Sequence, residues 1–528
     1  MNITLTPGND QYYLYDSFLG GTSASQLAPV VNKTIDGGDG SDRLNIDYPL
    51  PYPFFNFSVD ASTGVVTVST ASGSVRWENF ESVSFSNVTI LIGSSSGDTL
   101  IGSGGNDPGL YGLGGDDTLD GGAGRDVLFG GAGNDTYVVD DSGDSVQEAT
   151  TLNGGVDAGG VDIVRAAINF ALGNFLENLE LIGSAVTGTG NALANAITGN
   201  SVANSLTGAA GDDTLDGGLG ADTLSGGAGT DVYVLDNPLD VVLEDGVSDP
   251  GGLDTVRSTV AHTLGERFEN LVLLGSAPAS AKGNALSNRL TGNDADNTLE
   301  GGAGNDALEG RGGADSLRGG AGNDTYIVNG TGDRVDEATA PGNGVDAGGK
   351  DVVRSSVSFT LGDFVETLIL TGAGSLKATG NDLGNTITGN SGANVLTGLG
   401  GADVLNGGAG NDTLNGGVGR DSFVFSSPLN AQTNVDLING FSTTTTPDRI
   451  RLDNDIFISL GAPGALALTA FTNGEVASTP DHRIVYDRPS GHLFYDPDGS
   501  GPEAQVHFAT LGLSAHPALS AGAFLITD

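Results

Sequence analysis

Between Gly208 and Val234 the large apolar positions recur every nine residues. The units GAAGDDTLD, GGLGADTLS and GGAGTDVYV each place one such residue eighth (Leu215, Leu224, Tyr233), after a glycine-rich turn that ends in Asp. An apolar residue between two more polar ones predicts a three-residue strand with one side chain turned inward. The six residues before it predict a sharp turn, partly at φ > 0, whose backbone approaches its neighbours closely. Strict alternation of the two predicts an all-β fold, a right-handed parallel β-roll or β-solenoid. Two units make one coil, and like positions of successive coils lie ~4.8 Å apart.

The same spelling fills four blocks. The first runs from Gly93 to Val138 with sixth-position residues Asp98, Asp107, Asp117, Asp126 and Asp135, and its Asp107-Pro108-Gly109 step carries one extra residue that predicts a bulge. A larger module then repeats, its marker aspartates Asp135, Asp231, Asp324 and Asp421 standing 96, 93 and 97 residues apart. Each module opens on a closing strand (TYVVDD, VYVLDN, TYIVNG), passes through an acidic loop and enters a β-rich insert. Alternation in ENLELIG and ENLVLLG predicts insert strands with one buried face. The sixth positions then read Asn195, Asn204, Asp213, Asp222, Asp231 in the first module. They read Asn288, Asn297, Asp306, Asp315, Asp324 in the second and Asn385, Asn394, Asp403, Asp412, Asp421 in the third. The predicted organisation is an N-terminal β cap (1–92) with one isolated turn at Asp42, a first roll block (93–138), three solenoid modules (139–234, 235–327, 328–424) and a C-terminal β cap (425–528). A cap is needed because a solenoid otherwise ends on an open apolar layer.

In this arrangement Asp213 and Asp231 face each other along one edge and Asp222 lies on the opposite edge. Carboxylates ~4.8 Å apart repel by roughly 3 kcal/mol at an effective dielectric of 20, so a file of them calls for a cation. Carboxylate and carbonyl oxygens, without His or Cys, select a hard ion, and a flexible turn favours Ca2+ over Mg2+. The predicted metal ligands are Asp42, Asp98, Asp107, Asp117, Asp126, Asp135, Asp213, Asp222, Asp231, Asp306, Asp315, Asp324, Asp403, Asp412 and Asp421, holding on the order of ten ions. Asn keeps a carbonyl oxygen but no charge. The Asn coils are therefore expected to bind calcium weakly or not at all and to extend the roll through side-chain ladders.

These turns resemble the repeats-in-toxin (RTX) family, hemolysin-type calcium-binding β-roll proteins. The resemblance implies type I secretion, an extracellular or cell-surface bacterial location, and the secretion machinery as a partner. It also implies an uncleaved C-terminal signal, for which ALSAGAFLITD stands here. MNITLTPGNDQYYLYDSFLGG has neither a basic nor an apolar signal-peptide region.

Composition sharpens this picture. The 88 glycines lack a three-residue period, which excludes collagen. A net charge of −46 argues against nucleic acid and anionic membrane surfaces as partners, and no apolar run is long enough for membrane insertion. No cysteine is present, so calcium takes the stapling role, and its binding free energy is expected to act as folding free energy.

Other motifs carry little chemistry. Asp496-Pro-Asp498-Gly-Ser500-Gly501 resembles half an EF-hand loop, but His507 stands where Glu is wanted, so a hairpin turn is expected. Gly93-Ser-Ser95-Ser-Gly97 spells a nucleophile elbow yet opens a nonapeptide block. His482, His492, His507 and His516 have no zinc-protease spacing. Arg165, Arg257 and Arg354 recur in the inserts and are expected to pair with Glu177, Glu269 and Glu366. No catalytic constellation emerges, and the first expectation is a non-catalytic secreted scaffold: a surface-layer, filament, matrix or adhesin subunit, capable of self-association into sheets or filaments. The alternative is an exported enzyme or its carrier module, of lipase, protease or epimerase type, which requires an active site within residues 1–92 or 425–528; a concave pocket with convergent acids near Tyr12, Tyr13, Tyr15, Tyr52 and Phe54 would favour it.

Overall fold

A computed structural model describes residues 90–528 except 149–155, 245–251, 340–343, 445 and 514–515, and of residues 1–89 the strand backbones alone. Asp42, Tyr15, Tyr52 and Phe54 lie outside the described residues. Two compact units divide the chain, Met1–Val256 and Arg257–Asp528. Both are built mainly of parallel coils, with antiparallel pairs among the first strands of one and in the cap of the other, and among the described residues the only helical turns are two short 3-10 segments, Leu468–Ala470 and Ala521–Ala523.

The nine-residue period produces the stacking directly. In the first unit Ala196–Thr198, Thr214–Asp216 and Val232–Leu235 pair in parallel, so that Ile197, Leu215 and Tyr233 form one inward column. On the other face Leu206 stacks on Leu224 and Leu224 on Val242. Partners are eighteen residues apart, two nonapeptides per coil, and Ile197, Leu206, Leu215, Leu224 and Tyr233 are fully buried. Each such Leu contributes about 1.5–3 kcal/mol by leaving water. The second unit repeats the scheme with Leu290, Leu308 and Tyr326 on one face and Leu299 and Leu317 on the other. Outside that column Lys282, Glu300, Arg318 and Asp336 make an alternating charge ladder, with Arg318 bridging Glu300 at 3.2 Å and Asp336 at 3.3 Å.

The extra residue at Pro108 is visible in the register. Thr99 pairs with Thr118, nineteen residues on, whereas Leu110 pairs with Leu128, eighteen on. The inserts are coils of the same sheet with altered lengths. Thr136 pairs with Ile163 across 27 residues, and Ile163 with Asn178 across 15. Val164, Leu179 and Leu181 supply their buried face. The expected pairing of Arg165 with Glu177 is not made. Arg165 and Glu180 are direct register partners, their side chains meeting at 2.8 Å. Glu177 lies in the turn before the strand, where it accepts the Asp162 amide at 2.9 Å. Glu366 does the same for Asp351, and the register partner of Arg354 is Ile369.

The last coils of the second unit meet a β cap. Arg449–Asp453 pairs in parallel with Phe524–Thr527. Asp436–Asn439 pairs with Val506–Leu511, which continues through antiparallel hairpins to His492–Tyr495 and Ile484–Asp487. Phe508 packs edge-on against Phe425 and Phe457, closing the apolar column with aromatic rings. The Asp496–Gly501 stretch is a hairpin turn in which Asp496 accepts the Gly499 amide at 2.8 Å.

Turn positions with φ > 0 are occupied by glycine in most coils, but Leu113, Ala209, Arg311 and Leu399 adopt the same conformation. A left-handed L-residue costs roughly 1–2 kcal/mol. Arg311→Gly is therefore expected to stabilise the calcium-loaded protein by up to about 1 kcal/mol. Gly401→Ala should destabilise it by about 2 kcal/mol, because Gly401 has φ +101° and a Cβ there would strike the Leu383 carbonyl. Urea midpoints in saturating calcium check both.

Candidate metal centre

The sixth-position side chains form two files, one along each edge of the coils. Each Asp points one oxygen back at the coil before it: Oδ1 of Asp213 accepts the Asn195 amide at 2.7 Å, Oδ1 of Asp231 accepts the Asp213 amide at 2.8 Å, and Oδ1 of Asp222 accepts the Asn204 amide at 2.7 Å. The second unit repeats this at Asp306, Asp324, Asp403 and Asp421. The other oxygen is different. Oδ2 of Asp117, Asp126, Asp135, Asp213, Asp222, Asp306, Asp315, Asp324, Asp403, Asp412 and Asp421 is buried with no hydrogen-bond partner. A buried, partnerless carboxylate oxygen is costly.

These oxygens converge on oxygen-rich clefts. A Cβ built on Gly208 would meet both Asp213 Oδ2 and, at 2.7 Å, the carbonyl of Gly226 in the next coil. Gly112, Gly301 and Gly398 stand in the same relation to Asp117 and Gly130, Asp306 and Gly319, and Asp403 and Gly416. The first position of the repeat is glycine because a side chain would fill the space where carboxylate and carbonyl meet. Burial, partly opposed by the amide hydrogen bond and reinforced by neighbouring carboxylates, pushes Asp117, Asp213 and Asp403 up to about 7. Asp306, Asp315 and Asp324 are pushed up to about 6. Orphaned oxygens, carbonyls and glycine clefts together fit a hard cation, and no nitrogen or sulfur donor competes.

The ends of the files are closed by hydrogen bonds instead. Oδ2 of Asp98 accepts the Ser94 amide at 2.6 Å and hydroxyl at 2.9 Å, and Oδ2 of Asp107 accepts the same pair from Ser103 at 2.6 and 3.0 Å. At the far end Asp144 accepts the Asp126 amide on Oδ1 and the amides of Asp140 and Asp141 on Oδ2. Asp240 repeats that arrangement after Asp222, and Asp448 receives the amides of Asp421 and Ser442. The terminal residues Asp144, Asp240 and Asp448 lie outside the nonapeptides, so period alone did not reveal them.

The Asn coils use a third solution. Asn195 accepts the Asn191 amide on Oδ1 at 2.7 Å, and its Nδ2 reaches the carbonyls of Leu176 at 3.1 Å and Glu177 at 3.2 Å. Asn204, Asn288 and Asn385 donate likewise to Ala185, Phe268 and Val365. The amide hydrogens thus satisfy carbonyls that no cation needs to reach. A second Asn at position two helps: Asn191 donates to Gly173 and Leu176, and Asn381 to Gly362 and Val365. The spelling G-N-x-x-x-N could have disclosed this second ladder.

Stacked coils with buried acidic files define a calcium-binding β-roll. The profile of the RTX calcium-binding nonapeptide repeat matches residues 89–107, 110–145, 198–233, 284–326 and 379–423. These blocks are RTX calcium-binding repeats, and such repeats bind calcium. No curated protein matches the chain. Among solved structures, the extracellular lipase LipA from Serratia marcescens is similar over 48% of this chain and 40% of its own, less than half its length, with 18% identity and a TM-score of 0.14. No helix among the described residues is long and apolar enough to cross a membrane.

Proposed function

We propose that this protein is a secreted, non-catalytic scaffold that folds when it meets calcium outside the cell and serves as a surface-layer, filament, matrix or adhesin subunit. The observation carrying this reading is the row of buried Asp oxygens without partners, which makes the coils an unfavourable fold until cations fill the clefts. On the order of ten ions are held by the interior Asp residues, with Asp98 and Asp107 contributing least because serine already satisfies them. Type I export suits a chain that stays unfolded at low calcium and folds on release. The strongly acidic composition, with a formal net charge of −46, also favours calcium bridging between exposed carboxylates of neighbouring molecules, which supports self-association.

Electron microscopy with sedimentation velocity, in millimolar calcium and in chelator, tests the proposal. Ordered sheets or filaments that form only with calcium are the expected result. A discrete monomer under both conditions, or turnover of an ester, peptide or polysaccharide substrate by the purified chain, would overturn the scaffold reading in favour of an exported enzyme or its carrier.

A further inference from the structure

Where each Asp block gives way to the next insert, a second acidic arrangement appears that the nonapeptide does not encode. Asp135, Glu148 and Asp162 bring one carboxylate oxygen each within 4.8 Å of one another, and so do Asp231, Glu244 and Asp254, and Asp324, Glu337 and Asp351. The Glu always stands thirteen residues after the last Asp of the block. Only that Asp belongs to a nonapeptide. The other two residues come from the loop after the closing strand and from the start of the insert.

Glu148 is the telling member. It is 3% exposed, and neither of its oxygens has a hydrogen-bond partner. Asp135 Oδ2 is likewise buried and without a partner. In the third trio Glu337 is fully buried and its Oε1 has no partner, nor has Oδ2 of Asp324. A tyrosine two residues after the Asp completes the wall: the Tyr137 hydroxyl accepts the Gly130 amide at 2.9 Å, and Tyr326 accepts that of Gly319 at 2.6 Å. In the second trio Tyr233 donates its own proton to Glu244. A Cβ on Gly130 would collide with Asp135 Oδ2, Tyr137 Oη and Glu148 Oε1, so oxygens from three side chains converge over one glycine.

A protonated Glu148 would still bury an O–H and a carbonyl with nothing to receive or supply a hydrogen. A cation leaves neither oxygen unmet. Oxygens on opposite sides of an ion with bonds of ~2.3–2.6 Å lie up to about 5 Å apart, which matches the spread of each trio. With oxygen donors alone and three formal negative charges, a hard divalent or trivalent cation fits best. We propose that each trio is a second class of cation site, built where a loop Glu joins the end of an Asp file, which takes a calcium-sized ion and ties the closing strand, its loop and the following insert together. One ion there fixes chain segments up to 27 residues apart, as Asp135 and Asp162 are.

The test uses the full chain. Glu148→Gln, Glu244→Gln and Glu337→Gln are combined, which keeps side-chain size and removes the charge. Calcium per chain after equilibration is counted by elemental analysis, and Tb3+ emission is excited through tyrosine. The expected result is a loss of three ions per chain, one for each trio, and loss of most tyrosine-sensitised emission. Asp403→Asn with Asp421→Asn is the control: it should lose calcium from a file while keeping that emission. An unchanged ion count and emission in the triple Gln variant would overturn the proposal and leave the file reading intact. An unaltered count in the Asn control would instead strike at the files. Tb3+-soaked crystals of the unaltered protein provide a test independent of variant folding: anomalous peaks inside the trios support the sites, and filled files beside empty trios refute them.

Discussion

Alanine at both Asp403 and Asp421 is expected to shift calcium-induced folding of the coils around them to much higher calcium. These residues follow one another along a single file, and each does two jobs. Oδ1 of Asp403 receives the Asn385 amide at 2.7 Å, and Oδ1 of Asp421 receives the Asp403 amide at 3.0 Å. Both Oδ2 atoms are the orphaned, cation-facing oxygens. Each alanine leaves a buried N–H without an acceptor, at a cost of about 1–3 kcal/mol, and removes a charged ligand as well. The pair should therefore raise the calcium concentration for folding by at least tenfold, about 1.4 kcal/mol per decade. Asn at the same two positions should be milder, because its carbonyl still accepts an amide hydrogen. Hydrogen exchange across residues 385–425 during a calcium titration checks this. Protection that appears at the same calcium concentration in all three proteins would refute the double role.

The second large effect is on pH. In chelator, burial reinforced by neighbouring carboxylates pushes Asp117, Asp213 and Asp403 of the folded coils up to about 7, and burial alone pushes Asp306 up to about 6, from the ordinary value of 3.8. Asp412 and, deeper in the cap boundary, Asp436 are pushed up to about 7 and about 8. The folded state then holds more protons than the unfolded chain between these values. Its stability falls as pH rises from about 4 through 8, and above that window the full penalty applies. The calcium-free chain should thus keep more β-structure at pH 4.5 than at pH 8. Calcium at saturation should remove most of that dependence, since the ion favours the charged carboxylates. Far-UV circular dichroism at the two pH values, with and without chelator, reads the difference, and equal spectra in chelator would contradict the assignment of the files.

Much of this was legible in the chain itself. The apolar eighth residue, recurring at nine, sets an inward column at eighteen-residue register, and Leu215 on Tyr233 is its direct consequence. The division into Asp and Asn coils was also readable, because a neutral amide and a carboxylate meet their neighbours differently. What escaped was everything whose partner depends on an irregular coil length. Asp162 and Asp351 reach the files across 27 residues, where a period of nine or eighteen offers no guide to which loop acid will arrive. The Arg165 partner was misjudged for a related reason. Nearness in sequence favoured Glu177, but parallel pairing places Glu180 directly opposite. The serine closure of Asp98 and Asp107 was present in the spelling G-S-x-x-x-D, and its meaning emerges only once Oδ2 of the interior residues is seen to lack what serine provides.

Counting bound calcium while following the β-sheet signal of the whole chain, from chelator to millimolar calcium at pH 8, tests the central claim most directly. The account predicts that on the order of ten ions bind and that the β-sheet signal rises with them from an unfolded baseline. A chain that shows its full β-sheet signal in chelator at that pH, with no ions retained after calcium is added, would contradict it.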